Sequence, residues 1–218
     1  MRIDILTIFP PMFTGPLGES MIKRAVDQGL VQITVHDLRR WTQDKHQTTD
    51  DKPYGGGPGM IMLVEPIDRA LTELKSLDAY QPSVVILTSA KGKLFNQQQA
   101  QRLSQSPRLI IIAGHYEGVD QRVTDHLVDE ELSIGDYVLT GGELPAMVMI
   151  DAIVRLLPGV LGDPDSLTEE SHQPSGYLEY PQYSRPESYN GWPVPQVLLS
   201  GHHAQIAQWR RRQTGNRA

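Results

Sequence analysis

The sequence predicts an α/β domain in which a mostly parallel sheet is flanked by helices. Strand-like and helix-like patterns alternate along residues 1–160, as they do when helices connect parallel strands. Two of the strand-like segments, 83–88 and 108–113, are continuous apolar runs. Such runs are typical of strands that are buried on both faces. Together these observations indicate a central sheet covered on both sides.

Local patterns define the individual elements. A first strand at residues 3–9 ends at two prolines, and a helix at 18–28 stops before Gly29, which suits a helix C-terminus. The remaining predicted elements are a strand at 31–36, a helix at 65–74, a strand at 83–88, a helix at 96–103, a strand at 108–113 and helices at 118–127 and 143–157. The last helix is apolar nearly all round, so we expect it to be buried in the domain or against another subunit.

The bulk composition excludes several classes of protein. The chain has 218 residues, a net charge of −6 and no cysteine, which excludes disulfides and thiolate metal sites. No apolar run approaches the roughly 20 residues that span a bilayer, so we expect no membrane segment. The strand pattern begins at Ile3 without a signal peptide, and we therefore expect a cytoplasmic protein. An acidic chain can still carry a local RNA-binding patch, for which Arg210–Arg212 are candidates beside the alternative of a solvated helix end.

Three turns directly follow predicted strands, at residues 88–92, 114–118 and 140–143. Parallel strands bring such turns together at the carboxyl edge of the sheet, so we expect one pocket there. The last turn carries Gly141 and Gly142, and by itself it fits a tight strand-to-helix turn and a ligand-binding loop equally well. The chain lacks the P-loop, dinucleotide-binding, hydrolase and zinc spacings, which argues against those enzyme classes.

The long polar loop at residues 37–59 is of a length that is usually functional or disordered, and the tyrosine and charged residues around its glycine run favour a functional loop. Its end, DDKPYGGGPGM at 50–60, together with GHYEGVD at 114–120 and SIGDYVLTGGELPA at 133–146, resembles the signatures of the TrmD family of bacterial tRNA (guanine-N1)-methyltransferases. The similarity covers about residues 1–213, including RLLPGVLG at 155–162 and YPQYSRP at 180–186. Several long motifs in the same order make this resemblance specific.

The resemblance implies a SPOUT-type fold, in which the C-terminal part of the α/β domain forms a trefoil knot. It also implies a homodimer with shared active sites, S-adenosylmethionine as methyl donor, and transfer to N1 of guanosine 37 in tRNA that carries G at positions 36 and 37. The positions that match the family's cofactor site are Leu87, Thr88, Ser89, Gly114, Tyr116, Glu117, Ile134, Gly135, Asp136, Tyr137, Val138, Leu139, Gly141, Gly142 and Pro145. Asp50 and Tyr54 are expected near the target guanosine, and Glu117 is the expected protein ligand if the family's use of Mg²⁺ applies here.

The resemblance also assigns two catalytic residues. Guanine N1 becomes nucleophilic when a carboxylate accepts its proton, and a guanidinium near O6 stabilises the negative charge that develops there. Arg155 matches the family's arginine. The family's base is an aspartate, and the matching residue here is Glu170, one methylene longer; Glu169 is the alternative.

The predicted organisation has three parts: a SPOUT methyltransferase domain at residues 1–160, a flexible interdomain linker at 161–195 and the start of a C-terminal tRNA-binding helical domain at 196–218. The last part is shorter than the family's domain, so either the natural protein is short or the sequence is cut. Within it we expect a helix from Val197, with Ser200 as N-cap. A SPOUT enzyme with another RNA target and an RNA-binding homologue without activity are the alternative functions.

Overall fold

The computed structural model describes residues 1–77, 81–162, 170–172 and 175–216. The chain divides into two compact units, Met1–Gly162 and Asp163–Ala218. Among the described residues, no helix combines the length and the apolar character that crossing a membrane requires. The predicted boundaries at 160 and 195 and the flexibility of the linker stay predictions.

The first unit is built on a five-stranded sheet. The strands of the whole unit are β1 (Arg2–Thr7), β2 (Gln32–Asp37), β3 (Asp50–Asp51), β4 (Ile61–Met62), β5 (Ser83–Leu94), β6 (Arg108–Ala113) and β7 (Glu130–Ser133), and all but β3 and β4 belong to this sheet. The sheet has the order β2-β1-β6-β5-β7, and all its neighbouring strands are parallel. The short strands β3 and β4 pair with each other in antiparallel orientation. The predicted parallel sheet is thus confirmed, while the trefoil knot stays an expectation.

Helices cover both faces of this sheet, as the two-sided apolar strands require. They are α1 (Ser20–Asp27), α2 (Val64–Ser76), α3 (Gln97–Ser104), α4 (Gln121–His126) and α5 (Glu143–Val154), with a 3₁₀ turn at Leu38–Trp41. One core cluster joins the sheet to α1, α3 and α5, and the other joins it to α2, α4 and the 3₁₀ turn. All six residues of β6 are buried because the strand faces both clusters.

A buried ionic cluster crosses the amino-terminal half of the sheet. Asp4 and Arg108 are fully buried, and an Arg108 Nη2 lies 2.8 Å from Asp4 Oδ2. His36 Nε2 lies 2.9 Å from Asp4 Oδ1, and Arg2 Nε lies 2.9 Å from Asp4 Oδ2. Burial raises the pKa of Asp4, but the hydrogen bonds from these three partners outweigh it and lower the pKa to about 2.

The second unit consists of short elements: β8 (Tyr177–Leu178), β9 (Ser188–Tyr189), β10 (Trp192–Pro193), α6 (Gln196–Leu199), α7 (His203–Gln213) and β11 (Gly215–Asn216). β9 pairs with β10 and β8 with β11, both in antiparallel orientation. The Arg210 guanidinium lies 4.6 Å from the centre of the Tyr180 ring, so a cation–π contact fixes α7 beside the segment that follows β8.

Three sequence predictions are wrong in detail. β5 does not end at Thr88 but continues to Leu94, with a shift of register between Thr88 and Lys93 against β7. α5 ends at Val154, because Pro158 disfavours helical backbone just before it and the last carbonyls are used in tighter turns. Ser200 is the C-cap of α6, and its hydroxyl accepts a hydrogen bond from the amide of His202, the N-cap of α7.

Candidate functional site

The carboxyl edge of the sheet carries an open cleft of about 900 Å³, including its mouth. Residues 87–91 of β5 line it together with the loops that follow β6 and β7, so the predicted pocket is present, although the expected turn at 88–92 lies within β5. The expected cofactor residues that line it are Leu87, Thr88, Ser89, Gly114, Tyr116, Glu117, Ile134, Gly135, Tyr137, Val138, Leu139, Gly141, Gly142 and Pro145. Asp136 is absent from the lining.

Sequence reasoning missed several residues of this cleft. His115 and Thr140 lie inside the quoted motifs but were not predicted as cofactor residues. Lys91 lies in the part of β5 where its register against β7 shifts. Gln121 and Thr124 line the cleft from α4. Since residues three apart share a helix face, their position after the 114–118 turn is the signal that could have identified them.

The hydroxyl of Thr88, in β5, connects β6 with the two loops that follow β6 and β7. Thr88 Oγ1 lies 3.2 Å from the carbonyl oxygens of Ile112 and Gly142, and the Gly114 amide donates to it at 3.3 Å. The Gly142 amide in turn donates to the Gly114 carbonyl at 2.6 Å. A Cβ on Gly142 would overlap Thr88 Oγ1, so this close approach requires glycine. Thr88 therefore acts on the loops, in addition to lining the cleft.

A second polar contact lies directly behind the cleft. His115 Nδ1 is 3.2 Å from Glu143 Oε2, and the Thr7 hydroxyl donates to Glu143 Oε1 at 2.9 Å. Glu143 is 1% exposed, and it lies in the first turn of α5, where the helix dipole favours a carboxylate. A Cβ on Gly141 would overlap both partners of the His115–Glu143 pair.

The glycine-rich loop is attached to the loop that follows β6. The Glu117 amide donates to the Met60 carbonyl, the Met62 amide to the Gly118 carbonyl, and the Asp120 amide to the Met62 carbonyl, at 3.0–3.1 Å. The Glu117 side chain lies against Gly59, where a Cβ would overlap it. This backbone ladder keeps the segment before β4 next to the cleft.

The expected guanosine-binding residues flank this ladder. Burial raises the pKa of the Tyr116 hydroxyl, and the charge and hydrogen bond of the adjacent Asp50 carboxylate raise this pKa further. Tyr116 has φ of 60°, a left-handed conformation that is rare for an aromatic residue and is found where surrounding contacts impose it. Tyr54 is fully exposed on the glycine-rich loop. Asp50 and the cleft are thus neighbours, while Tyr54 points into solvent.

The two expected catalytic residues belong to different units. Arg155 is the C-cap of α5, half-buried, and its amide donates to the Asp151 carbonyl at 3.2 Å. Glu170 opens a short described segment of the second unit, in which the His172 amide donates to the Tyr177 carbonyl. Glu169 lies outside the described residues. Within the described part of the chain, no group of three or more histidine or acidic side chains could hold a metal ion.

Comparison with known proteins identifies the family. The family model described as tRNA (Guanine-1)-methyltransferase TrmD matches residues 1–218. The chain belongs to the TrmD family. A tRNA (guanine-N(1)-)-methyltransferase of Dictyoglomus turgidum is 58% identical over 213 residues, which is 98% of this chain and 84% of that protein. One of Chloroflexus aurantiacus is 55% identical over 211 residues, covering 97% and 82%.

A solved structure of the same family is also similar to this chain in its fold. The crystal structure of tRNA (m1G37) methyltransferase from Aquifex aeolicus matches with a TM-score of 0.80 and 40% identity, over 96% of this chain and 87% of that one. The TrmD-type α/β fold that the sequence motifs implied is therefore confirmed. Family membership also makes this chain a tRNA (guanine-N1)-methyltransferase, and a methyltransferase of this family uses S-adenosylmethionine.

Proposed function

We propose that this chain transfers the methyl group of S-adenosylmethionine to N1 of guanosine 37 in tRNA, with the donor held in the cleft at the carboxyl edge of the sheet. The observation that carries the proposal is that two segments bearing the TrmD motifs, 114–120 and 133–146, line one cleft together with residues 87–91 of β5. Its walls combine apolar side chains such as Leu87, Ile134 and Leu139 with the backbone of the glycine turns. Backbone groups suit the adenine edge, and apolar walls suit the ribose and thioether chain.

Glu170 and Arg155 are the proposed catalytic pair. When bound, S-adenosylmethionine supplies an electrophilic methyl group on a sulfonium, which becomes a neutral thioether after transfer. Glu170 accepts the N1 proton as general base, so the freed N1 electron pair can form the new N–C bond. Arg155 stabilises the charge that develops on guanine O6. Asp50 and Tyr54 orient the guanosine, and Asp50 is supported in this role by its place beside Tyr116 at the cleft.

Mg²⁺ would depend on few protein ligands. Mg²⁺ keeps several waters and commonly binds through one or two carboxylates together with its substrate. The lack of a three-residue cluster in the described ranges is compatible with that mode, and Glu117 at the cleft wall is the carboxylate we propose. Removal of free Mg²⁺ by a chelator should then lower methyl transfer without weakening the binding of S-adenosylhomocysteine.

We further propose a homodimer that pairs through the outer face of α5. Leu144 and Val148 are about half exposed, and they share a stripe with Asp151 and Arg155 at helical spacing. Val138, in the loop that precedes α5, is 86% exposed. Large exposed apolar side chains on one face of a helix are typical of a protein–protein interface. The same stripe carries Arg155, so pairing of this face would place the guanidinium at the subunit boundary.

The second unit is the proposed tRNA-binding part. Arg210, Arg211 and Arg212 lie in the last turns of α7 and are exposed. Lysine and arginine contacts to phosphates supply the sequence-independent part of nucleic-acid affinity. We therefore expect the tRNA affinity of the chain to fall with salt, and to fall when these arginines are replaced by glutamine.

A methyl-transfer assay tests the function. Purified chain, S-adenosylmethionine with a tritiated methyl group and a tRNA transcript with G36 and G37 should give labelled tRNA, and a transcript with A37 should not. Arg155→Ala and Glu170→Ala should each lower the rate at least a hundredfold, as expected for loss of charge stabilisation or of the general base. Full activity of Glu170→Ala with loss of activity in Glu169→Ala would transfer the base assignment to Glu169. Labelling of the A37 transcript at the same rate would refute the proposed target.

A further inference from the structure

Glu143 is a buried carboxylate for which the reaction assigns no role. It is 1% exposed and does not line the cleft. Among the described residues, its hydrogen-bond partners are the hydroxyl of Thr7 and Nδ1 of His115. A carboxylate is costly to bury, and at this position an apolar side chain would fill the same space without that cost. A charged residue at the point where β1, the loop after β6 and α5 meet is therefore expected to have a function beyond packing.

The contacts of Glu143 form a closed circuit. The Thr7 hydroxyl donates to Glu143 and accepts a hydrogen bond from the Phe9 amide at 2.9 Å. The Phe9 ring lies 4.8 Å from the ring of His115, centre to centre, and His115 closes the circuit on Glu143 at 3.2 Å. An ionised carboxylate only accepts hydrogen bonds, so Nδ1 of His115 is the donor opposite an ionised Glu143. The circuit then fixes the position of the His115 ring and keeps the proton on Nδ1.

His115 carries this constraint to the cleft. It lines the cleft itself, and it precedes Tyr116, whose left-handed backbone conformation needs support from its surroundings. The His115 backbone also pairs with Gly141 in an isolated bridge, and its amide donates to the sulfur of Met62 at 3.1 Å. Release of the His115 side chain would remove the side-chain restraint on the 114–118 turn, which forms one wall of the cleft, and leave it held by the backbone hydrogen bonds of Gly114, Glu117 and Gly118.

We propose that Glu143 is a positioning residue for the methyl-donor site, which acts through the hydrogen bond to His115 and holds the 114–118 turn in the form that binds S-adenosylmethionine. This inference rests on the proposed location of the donor in the cleft. Glu143 itself is not part of the lining of the cleft. Its effect on the reaction is exerted on donor affinity, because the turn it holds contributes Gly114, Tyr116 and Glu117 to the lining.

Two substitutions of His115 separate the hydrogen bond from the ring contacts. His115→Phe keeps an aromatic ring between Phe9 and Tyr116 but removes the donor to Glu143. His115→Asn removes the ring but keeps an N–H near the position of Nδ1. The measurements are the dissociation constant of S-adenosylhomocysteine by calorimetry, KM and kcat for methyl transfer, and the thermal midpoint. Ile67→Val, a core change in α2, serves as a matched control for a loss of stability remote from the cleft.

We expect His115→Phe to raise the dissociation constant and the KM for S-adenosylmethionine about tenfold, with kcat changed less than threefold. His115→Asn should stay within threefold of the wild type in affinity. The double variant E143Q/H115F should bind within threefold of H115F, because Glu143 acts through His115. Ile67→Val should lower the thermal midpoint and leave the affinity unchanged.

Three results would overturn the inference: H115F that binds like the wild type, H115N that binds as weakly as H115F, or an extra tenfold loss in the double variant. The first would exclude a role of the bond, the second would assign the effect to the ring, and the third would show that Glu143 acts by another route. If the wild-type chain itself does not bind S-adenosylhomocysteine, the proposed function fails before the inference is tested. The two failures are thus distinguishable.

Discussion

Replacement of Thr88 by valine tests whether one hydroxyl organises the cleft. The hydroxyl contacts the backbone of Ile112 in β6, of Gly114 in the loop after β6, and of Gly142 in the loop before α5. Thr88 is only 3% exposed. Valine has nearly the same shape, so the substitution removes these hydrogen bonds without opening a cavity.

The expected loss follows from the Gly114 amide. Without the Thr88 oxygen, this buried donor loses its acceptor, which costs about 1–3 kcal/mol. For a chain of this size, each kcal/mol lowers the thermal midpoint by about 2–4 °C. If a loss of about 2 kcal/mol falls on the arrangement that binds ligand, affinity for S-adenosylhomocysteine drops about thirtyfold. Thr88→Ser is the matched control: it keeps the hydroxyl and loses one methyl group, at a cost of about 0.8 kcal/mol.

Calorimetry with S-adenosylhomocysteine and thermal denaturation of both variants provide the measurement. We expect weak binding in Thr88→Val and binding within threefold of the wild type in Thr88→Ser, even if both variants are less stable. Equal affinities in the two variants would refute the reasoning, since the hydroxyl would then contribute to folding but not to the arrangement of the loops.

Three further predictions concern other parts of the first unit. The pKa of Asp4 in the folded state is lowered to about 2. The ionised Asp4 therefore stabilises the fold above about pH 4, and this contribution is lost as the pH falls towards 2. Chemical denaturation of the wild type should show the free energy of unfolding decrease by about 2 kcal/mol over this range. Asp4→Asn should abolish that part of the pH dependence, and an unchanged profile would contradict the assignment. Gly59→Ala should weaken S-adenosylhomocysteine binding about tenfold, because the new Cβ displaces Glu117 from the wall of the cleft. Gly56→Ala, which has the same φ of 81° but open space around it, controls for backbone strain; equal effects of the two would assign the loss to strain. Leu144→Glu on the exposed stripe of α5 should yield a monomer with little activity, as seen by light scattering and methyl transfer; a fully active monomer would exclude shared active sites.

Apolar runs and turn positions predicted the part of the structure that lies around the cleft. The strand at residues 108–113 has the bounds that were expected, because both of its faces are buried and its sequence is uninterrupted. The convergence of the three turns followed from parallel strands alone. The assignment of this edge to a methyl donor did not come from physics, since the Gly141–Gly142 turn fits a connection as well as a ligand site; it required the resemblance to the TrmD family.

The extension of β5 could not be predicted from its pattern. Lys91 and Lys93 interrupt the apolar run after Thr88, so periodicity ends the strand there. The strand continues because Leu132 of β7 pairs with both Thr88 and Lys93 across the register shift. Gly92 makes this possible, since a Cβ at that position would collide with the backbone of β7. The signal is a long-range steric requirement that local sequence does not express.

The buried polar residues were also not predicted, and for a single reason. Pattern analysis assigns charged residues to the surface, so neither Asp4 nor Glu143 was expected inside, yet both are at most 1% exposed. Partners that make burial possible are far away in the sequence: His36 is 32 residues from Asp4, and Thr7 is 136 residues from Glu143.

The placement of these groups follows from the demands of the cleft. A ligand that is recognised through backbone requires loops rich in glycine, and such loops have little side-chain packing to hold them. Apolar contacts are weakly directional, whereas hydrogen bonds in a buried site fix both distance and angle. At the junction of the three loops, Thr88 and Glu143 supply that directional restraint from side chains that stand on β5 and α5, the rigid elements next to the loops. The glycines leave room for the ligand, and the buried hydroxyl and carboxylate define where that room is.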